Sequence, residues 1–184
     1  MANAASGAGL ARLMDGNTAA ARDWFARAAE RYRESFPIAP PGSWGRPIGA
    51  MKARILAGDW AAATTDAEWV LDQRPQDADS PIGRYAACLA FLVLGRDTQA
   101  RFFADELRTH DCFPSDVGDA LACISAQDPI GYIEAIESVL ASFEWRSEFL
   151  EDVPVADTVV VLQALAARRD LAAELSSLLL PRSA

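Results

Sequence analysis

A glycine-centred turn recurs along this chain, with an alanine at a fixed distance beyond it. Gly58-Asp59-Trp60 is followed by Ala63, Gly95-Arg96-Asp97 by Ala100, and Asp15-Gly16-Asn17 by Ala21, each alanine five residues past its glycine. This spacing is the mark of a helical-hairpin repeat. Glycine ends one helix, a polar residue such as Asp59 caps the next, and the small alanine lets the two helices approach closely. Each hairpin leaves an apolar face that only a neighbour covers, so the pattern calls for a stacked array.

Helical periodicity fills the intervals between turns. Trp24, Ala28, Tyr32 and Phe36 fall at four-residue steps, Phe25 and Ala29 widen the stripe, and Arg22, Arg27, Arg31, Arg33 and Glu34 take the remaining surface. The pattern predicts a helix from about Thr18 to Ser35, capped by Thr18 or Asn17, after a short partner from Gly9 to Met14. Phe36–Gly49 holds four prolines and three glycines and interrupts regular structure, with Ser43 placed to cap the next helix. That helix runs to about Ala57, and its partner from Trp60 to Gln73, before Pro75. Ser80-Pro81 and Asp128-Pro129 each read as a cap followed by proline at the first helical position. They frame helices over Ile82–Leu94, Thr98–Thr109, Pro114–Ala126 and on to Phe143, the first apolar on nearly every side and therefore central. After an irregular stretch, Glu144–Val153, Pro154 opens an apolar helix to about Ala167. Asp170 is expected to cap a last helix, Leu171–Leu180. Val159-Val160-Val161 has strand propensity, but the Ala and Leu at helical spacing behind it favour helix. The expectation is one all-α domain of about ten helices and no sheet, in hairpins at roughly 8–36, 43–74, 80–110, 114–143 and 154–180.

These residues resemble tetratricopeptide (TPR) repeats, in which the hairpin turn carries a glycine, an aromatic two residues on and an alanine five residues on. Gly58, Trp60, Ala63, Ala67, Val70, Leu71 and Pro75 fit that pattern throughout. Gly95, Ala100, Ala104 and Leu107 repeat it with Asp97 in place of the aromatic, and Gly16, Ala21, Phe25, Ala28 and Ala29 form a third copy. A fourth keeps only the apolar spacing, Ile133, Ile136, Val139 and Leu140, after Gln127-Asp128. The resemblance covers roughly residues 8–143, and the turns lie 42, 37 and 32 residues apart, against about 34 in the family. It implies a divergent TPR-like α-solenoid that binds protein partners.

Charge narrows the partners. The net charge is −9: residues 1–60 carry 8 Lys/Arg against 5 Asp/Glu, and residues 61–184 carry 9 against 21. An acidic chain repels phosphate backbones, so nucleic acid is not expected as a partner. No stretch is long and apolar enough for a membrane span, and the first residues lack a basic flank followed by an apolar run, which points to a cytoplasmic protein. Sixteen of the 17 basic residues are arginine, which suggests a GC-rich prokaryotic origin. Cys88, Cys112 and Cys123 form no CxxC and His110 is the single histidine, so no metal site and no cofactor are expected. Cys88 reads as a core residue.

The family's groove is lined by the first helix of each pair. The matching positions are Ile48, Lys52, Ile55 and Leu56, then Ile82, Tyr85, Leu89, Leu92 and Val93. Lys52 and Tyr85 are therefore candidate partner contacts, unless the chain's own residues 154–180 fill the groove. The Pro/Gly loop offers Trp44 and Arg46 as anchors, or Trp44 packs down as a staple. Gly58, Asp59, Trp60 and Gly95 are structural turn residues. His110-Asp111-Cys112 places a histidine beside a thiol, yet neighbours so close in sequence rarely form a nucleophile–base pair. Asp116, Asp119, Glu148, Glu151 and Asp152 read as a solvated acidic face. The expected function is a non-catalytic interaction module or adaptor. The alternatives are an immunity-type protein masking a basic toxin, a small-ligand binder, or an enzyme using His110 and Cys112.

Overall fold

The computed structural model describes residues 1–181. Among them are nine α-helices, three 3-10 turns and no strand: α1 (Ala2–Met14), α2 (Thr18–Ser35), α3 (Gly45–Leu56), α4 (Trp60–Asp72), α5 (Pro81–Val93), α6 (Asp97–Leu107), α7 (Ser115–Ala126), α8 (Pro129–Glu144) and α9 (Asp157–Ala167). The first eight form four sequential hairpins, and each helix also packs on the next.

One hydrogen-bonding device closes all four hairpin turns. At Gly16, Gly58, Gly95 and Gln127 the chain takes a left-handed backbone, φ +75°, +69°, +69° and +55°. The N–H of each donates to the carbonyl three residues back, and the following N–H reaches five residues back, for example Gly58 to Ile55 and Asp59 to Arg54. This satisfies two carbonyls that the helix end would otherwise leave unpaired. Asn17, Asp59 and Asp128 then cap the next helix by accepting from the N–H three residues on, and Ser80 does the same for α5. Ser43 does not cap α3: its hydroxyl donates to the Pro40 carbonyl.

The position five residues past the turn is buried in every hairpin. Ala21, Ala63 and Ala100 are at most 2% exposed, and in the fourth hairpin the position is Tyr132, also fully buried. Close approach elsewhere relies on glycine. A β-carbon on Gly9 would fall 2.6 Å from the Phe25 ring, and one on Gly49 would fall 2.7 Å from Tyr32.

The chain then turns back on itself. Residues 145–156 return from the end of α8 to α1, where the 3-10 turn Leu150–Asp152 packs and Glu151 Cβ sits 2.8 Å from where a Gly7 side chain would begin. From there α9 runs back against α3, α7 and α8. Val159, Val161, Leu162, Leu165 and Ala166 of α9 are all buried.

The helix expected over Leu171–Leu180 does not form. Asp170 takes φ +59° and ends α9, its N–H donating to Ala167 O and that of Leu171 to Ala166 O. Residues 171–177 carry no helix and run back beside α9. Here Gln163 replaces the helical ladder: its amide accepts from Ala173 N–H at 3.0 Å and donates to Ala173 O at 2.6 Å. The main chain is tied again where Ala156 N–H donates to Leu179 O at 2.9 Å. Leu171, Ala173 and Leu175 turn inward at two-residue steps, while Ala172, Glu174 and Ser176 are exposed. That is a strand-like period in a segment that its leucines and alanines had marked as helix.

Candidate functional site

The expected groove is occupied by α9. Ile48, Ile55, Leu89, Leu92 and Val93 are at most 8% exposed, and of the groove positions only Ile82 stays open, at 41%. Lys52 donates to Asp157 Oδ2 at 2.5 Å and to Thr158 Oγ1 at 3.1 Å, both at the start of α9. Burial alone would lower the Lys52 pKa, but Asp157 and the neighbouring Tyr85 and Tyr32 outweigh it and hold the ammonium above its ordinary value. At the other end of α9, Arg168 donates to Val93 O, while Arg169 donates to Leu92 O and pairs with Asp97. Midway, Gln163 Oε1 also accepts from the Tyr132 hydroxyl at 2.9 Å. α9 is therefore polar-bonded at its start, middle and end as well as apolar along its length.

The four candidate partner contacts are all engaged within the molecule. Tyr85 is 8% exposed, its ring 5.4 Å from that of Phe113, and burial raises its hydroxyl pKa. Trp44 packs on Phe36 at 5.8 Å and against Gly83 of α5, as a staple does. Arg46, in the first turn of α3, donates to the Ser35 carbonyl and so ties the start of α3 to the end of α2. Lys52 is spent on Asp157. His110 Nδ1 accepts from the Cys112 main-chain N–H at 3.1 Å, so that ring nitrogen faces backbone and not the thiol. Asp119 pairs with Arg108, and Asp116 accepts from Val117 N–H.

Two of the open recesses bear on the site. The first, of about 470 Å³, lies beside the Gly58-Asp59-Trp60 turn. α9 contributes Val160 and Ala164, the α3–α4 turn contributes Leu56 and Trp60, and Leu13 of α1 completes the apolar wall. Among the described residues its charged lining is Arg22 and Arg168, with no carboxylate. Arg168 lies over the Trp60 ring, 4.4 Å from its centroid. The second, of about 580 Å³, runs over α7 between α6 and α8 and is far more polar. Arg101 and Arg108 line one side and Asp128 and Glu134 the other, with Cys123 between them, its thiol pKa raised by burial.

Sequence reading found the turn but passed over the recess beside it, because Leu13, Trp60, Ala164 and Arg168 are scattered over α1, α4 and α9 with its C-cap. It also missed Asp157 and Gln163. A signal existed for Asp157: an acid opening an apolar helix, in a chain whose only lysine sits on an apolar face.

Among the described residues no helix is long and apolar enough to cross a membrane. Comparison with protein-family models, with curated proteins and with solved structures finds no match to this chain.

Proposed function

We propose that this chain is a non-catalytic interaction protein of TPR-like type, a cytoplasmic adaptor that docks its partner on the outer helices of the array. The repeated turn of the four hairpins supports the repeat reading. The observation that carries the outer-face reading is a set of large apolar side chains held in solvent on α6 and α8. Phe102 is 61% exposed, Ile130 73% and Ile133 43%. Arg101, next to Phe102 in sequence, lines one wall of the polar recess over α7, and Gly131, between Ile130 and Ile133 in sequence, lines the other. Apolar anchors beside charged, partly paired side chains are the composition of a protein interface. The inner face, by contrast, is covered by α9.

The test compares cross-linked capture from the native host by the wild-type chain and by the double variant Phe102→Glu/Ile130→Glu. Both positions are exposed, so the variant keeps its fold, which circular dichroism checks. A partner recovered by the wild type and lost by the variant supports the reading. Recovery of the same proteins by both, or of none by either, defeats it.

A further inference from the structure

The recess beside the Gly58 turn differs in kind from the outer face. Its wall is apolar, with Leu13, Leu56, Trp60, Val160 and Ala164 facing one space. The two charges that the described residues place on that wall are both positive. Most of the described arginines pair with a carboxylate, yet Arg22 makes no hydrogen bond or ion pair among the described residues. Among the described residues Arg168 meets only the Val93 carbonyl and the Trp60 face, and these leave guanidinium N–H groups for a ligand. The nearest acid along this turn, Asp59, uses its carboxylate to cap α4.

Volume selects among occupants. A 10 Å length of helix, about 10 Å across, displaces roughly 800 Å³, well beyond the 470 Å³ of the recess. Small-ligand sites run from about 300 to 1,000 Å³. The net charge of −9 opposes an anion at long range, but at physiological salt that field is screened beyond about 8 Å. Inside the recess the two guanidiniums decide the sign.

We propose that this recess binds a small amphipathic carboxylate, an alkyl or aryl chain ending in one carboxyl group. The chain lies along Leu13, Leu56, Val160 and Ala164, and the carboxylate is taken by Arg22 and Arg168 through charge-assisted hydrogen bonds. Trp60 positions Arg168 by offering its ring face to the guanidinium. Gly58 suits the turn beside this wall through its φ of +69°, which side chains rarely adopt; a β-carbon there would make only ordinary contact, 3.9 Å, with Arg22 Nη2.

Isothermal titration with sodium decanoate, decyltrimethylammonium and 1-decanol, each below its micellar or solubility limit, tests this on the full chain. Decanoate should bind saturably at one site, with the cation and the alcohol about tenfold weaker. Arg22→Gln should weaken decanoate about tenfold and leave decanol unchanged. Because Arg22 has no described partner to lose, the melting temperature of that variant should match the wild type. Ala164→Phe, which fills the recess, should weaken both ligands by more than tenfold. Absence of saturable decanoate binding overturns the proposal. So does equal affinity for all three head groups, or an Arg22→Gln variant that binds decanoate as the wild type does.

Discussion

Asp66 shows how much one charge can hold when it leaves water. It is 1% exposed and accepts from Arg33 of α2 at 2.5 Å and from Arg54 of α3 at 3.3 Å. Three helices thus meet at one carboxylate, and Arg33 also lies over the Trp69 ring at 4.7 Å. Removing one member of a buried ionic cluster strands the others, at a cost of about 3–5 kcal/mol. Asp66→Asn should therefore lower the urea-unfolding free energy by roughly 3 kcal/mol. The exposed pair Arg12–Asp15 forms at 3.4 Å with both side chains more than half exposed, and Arg12→Ala should change stability by less than about 0.5 kcal/mol. Equal losses in the two variants would contradict the placement of Asp66 in the core.

At the scale of elements, two devices decide where helices stop. The first is the left-handed turn residue, and the fourth hairpin uses Gln127 where the others use glycine. A side chain in that conformation costs about 1–2 kcal/mol, while its bond to Asp97, at 3.4 Å, is long and exposed. Gln127→Gly is expected to raise stability by about 1 kcal/mol, read from the shift in denaturant midpoint at unchanged slope. A loss would mean that the Gln127–Asp97 contact outweighs backbone strain. The second device is Gln163, which holds the extended segment after Asp170. Gln163→Leu leaves the Ala173 N–H and carbonyl and the Tyr132 hydroxyl without partners and should cost about 2–3 kcal/mol. It should also abolish slow hydrogen exchange at the Ala173 amide, while the α4 amides stay protected. An Ala173 amide that exchanges slowly in the variant would show that other contacts hold the segment.

For the whole molecule, the burial of titratable side chains sets the response to alkaline pH. Burial raises the Cys88 thiol from its ordinary value of 9.0, and raises the Tyr132 and Tyr85 hydroxyls from 10.0. Asp157 and its neighbours raise Lys52 from 10.5. In every case the folded state keeps a proton that the unfolded chain releases earlier. Their contribution is complete below the unfolded pKa values and is lost as pH rises. Stability should thus fall from about pH 9 upward, at up to ~1.4 kcal/mol per pH unit for each group, and more steeply above pH 10. Because burial raises the Cys123 thiol as well, the onset should move up by about one unit only in the double variant Cys88→Ala/Cys123→Ala. An onset unchanged in that variant would place the first titration elsewhere.

The hairpins were legible because their determinants are local. A left-handed turn residue, a cap three residues before its bonded N–H, and an alanine five residues past the turn all lie within one short window, and each obeys steric rules that hold whatever surrounds it. That is why Gly58, Asp59 and Gly95 took the roles their sequence implied. The same logic failed at Leu171–Leu180, where the local preference for helix lost to Gln163 and to an apolar surface prepared by distant helices. Lys52, Tyr85 and Trp44 suited a binding face by residue type, yet each is used inside the fold. Whether an apolar face meets a partner or the chain's own tail depends on where a segment some hundred residues on comes to lie. The Lys52–Asp157 pair spans 105 positions, and no periodicity encodes that. Sequence determined the all-helical hairpins through short-range sterics and hydrogen bonds. Tertiary structure alone decided that α9 packs on α3 and the end of α5, and which recesses and apolar side chains remain open to solvent.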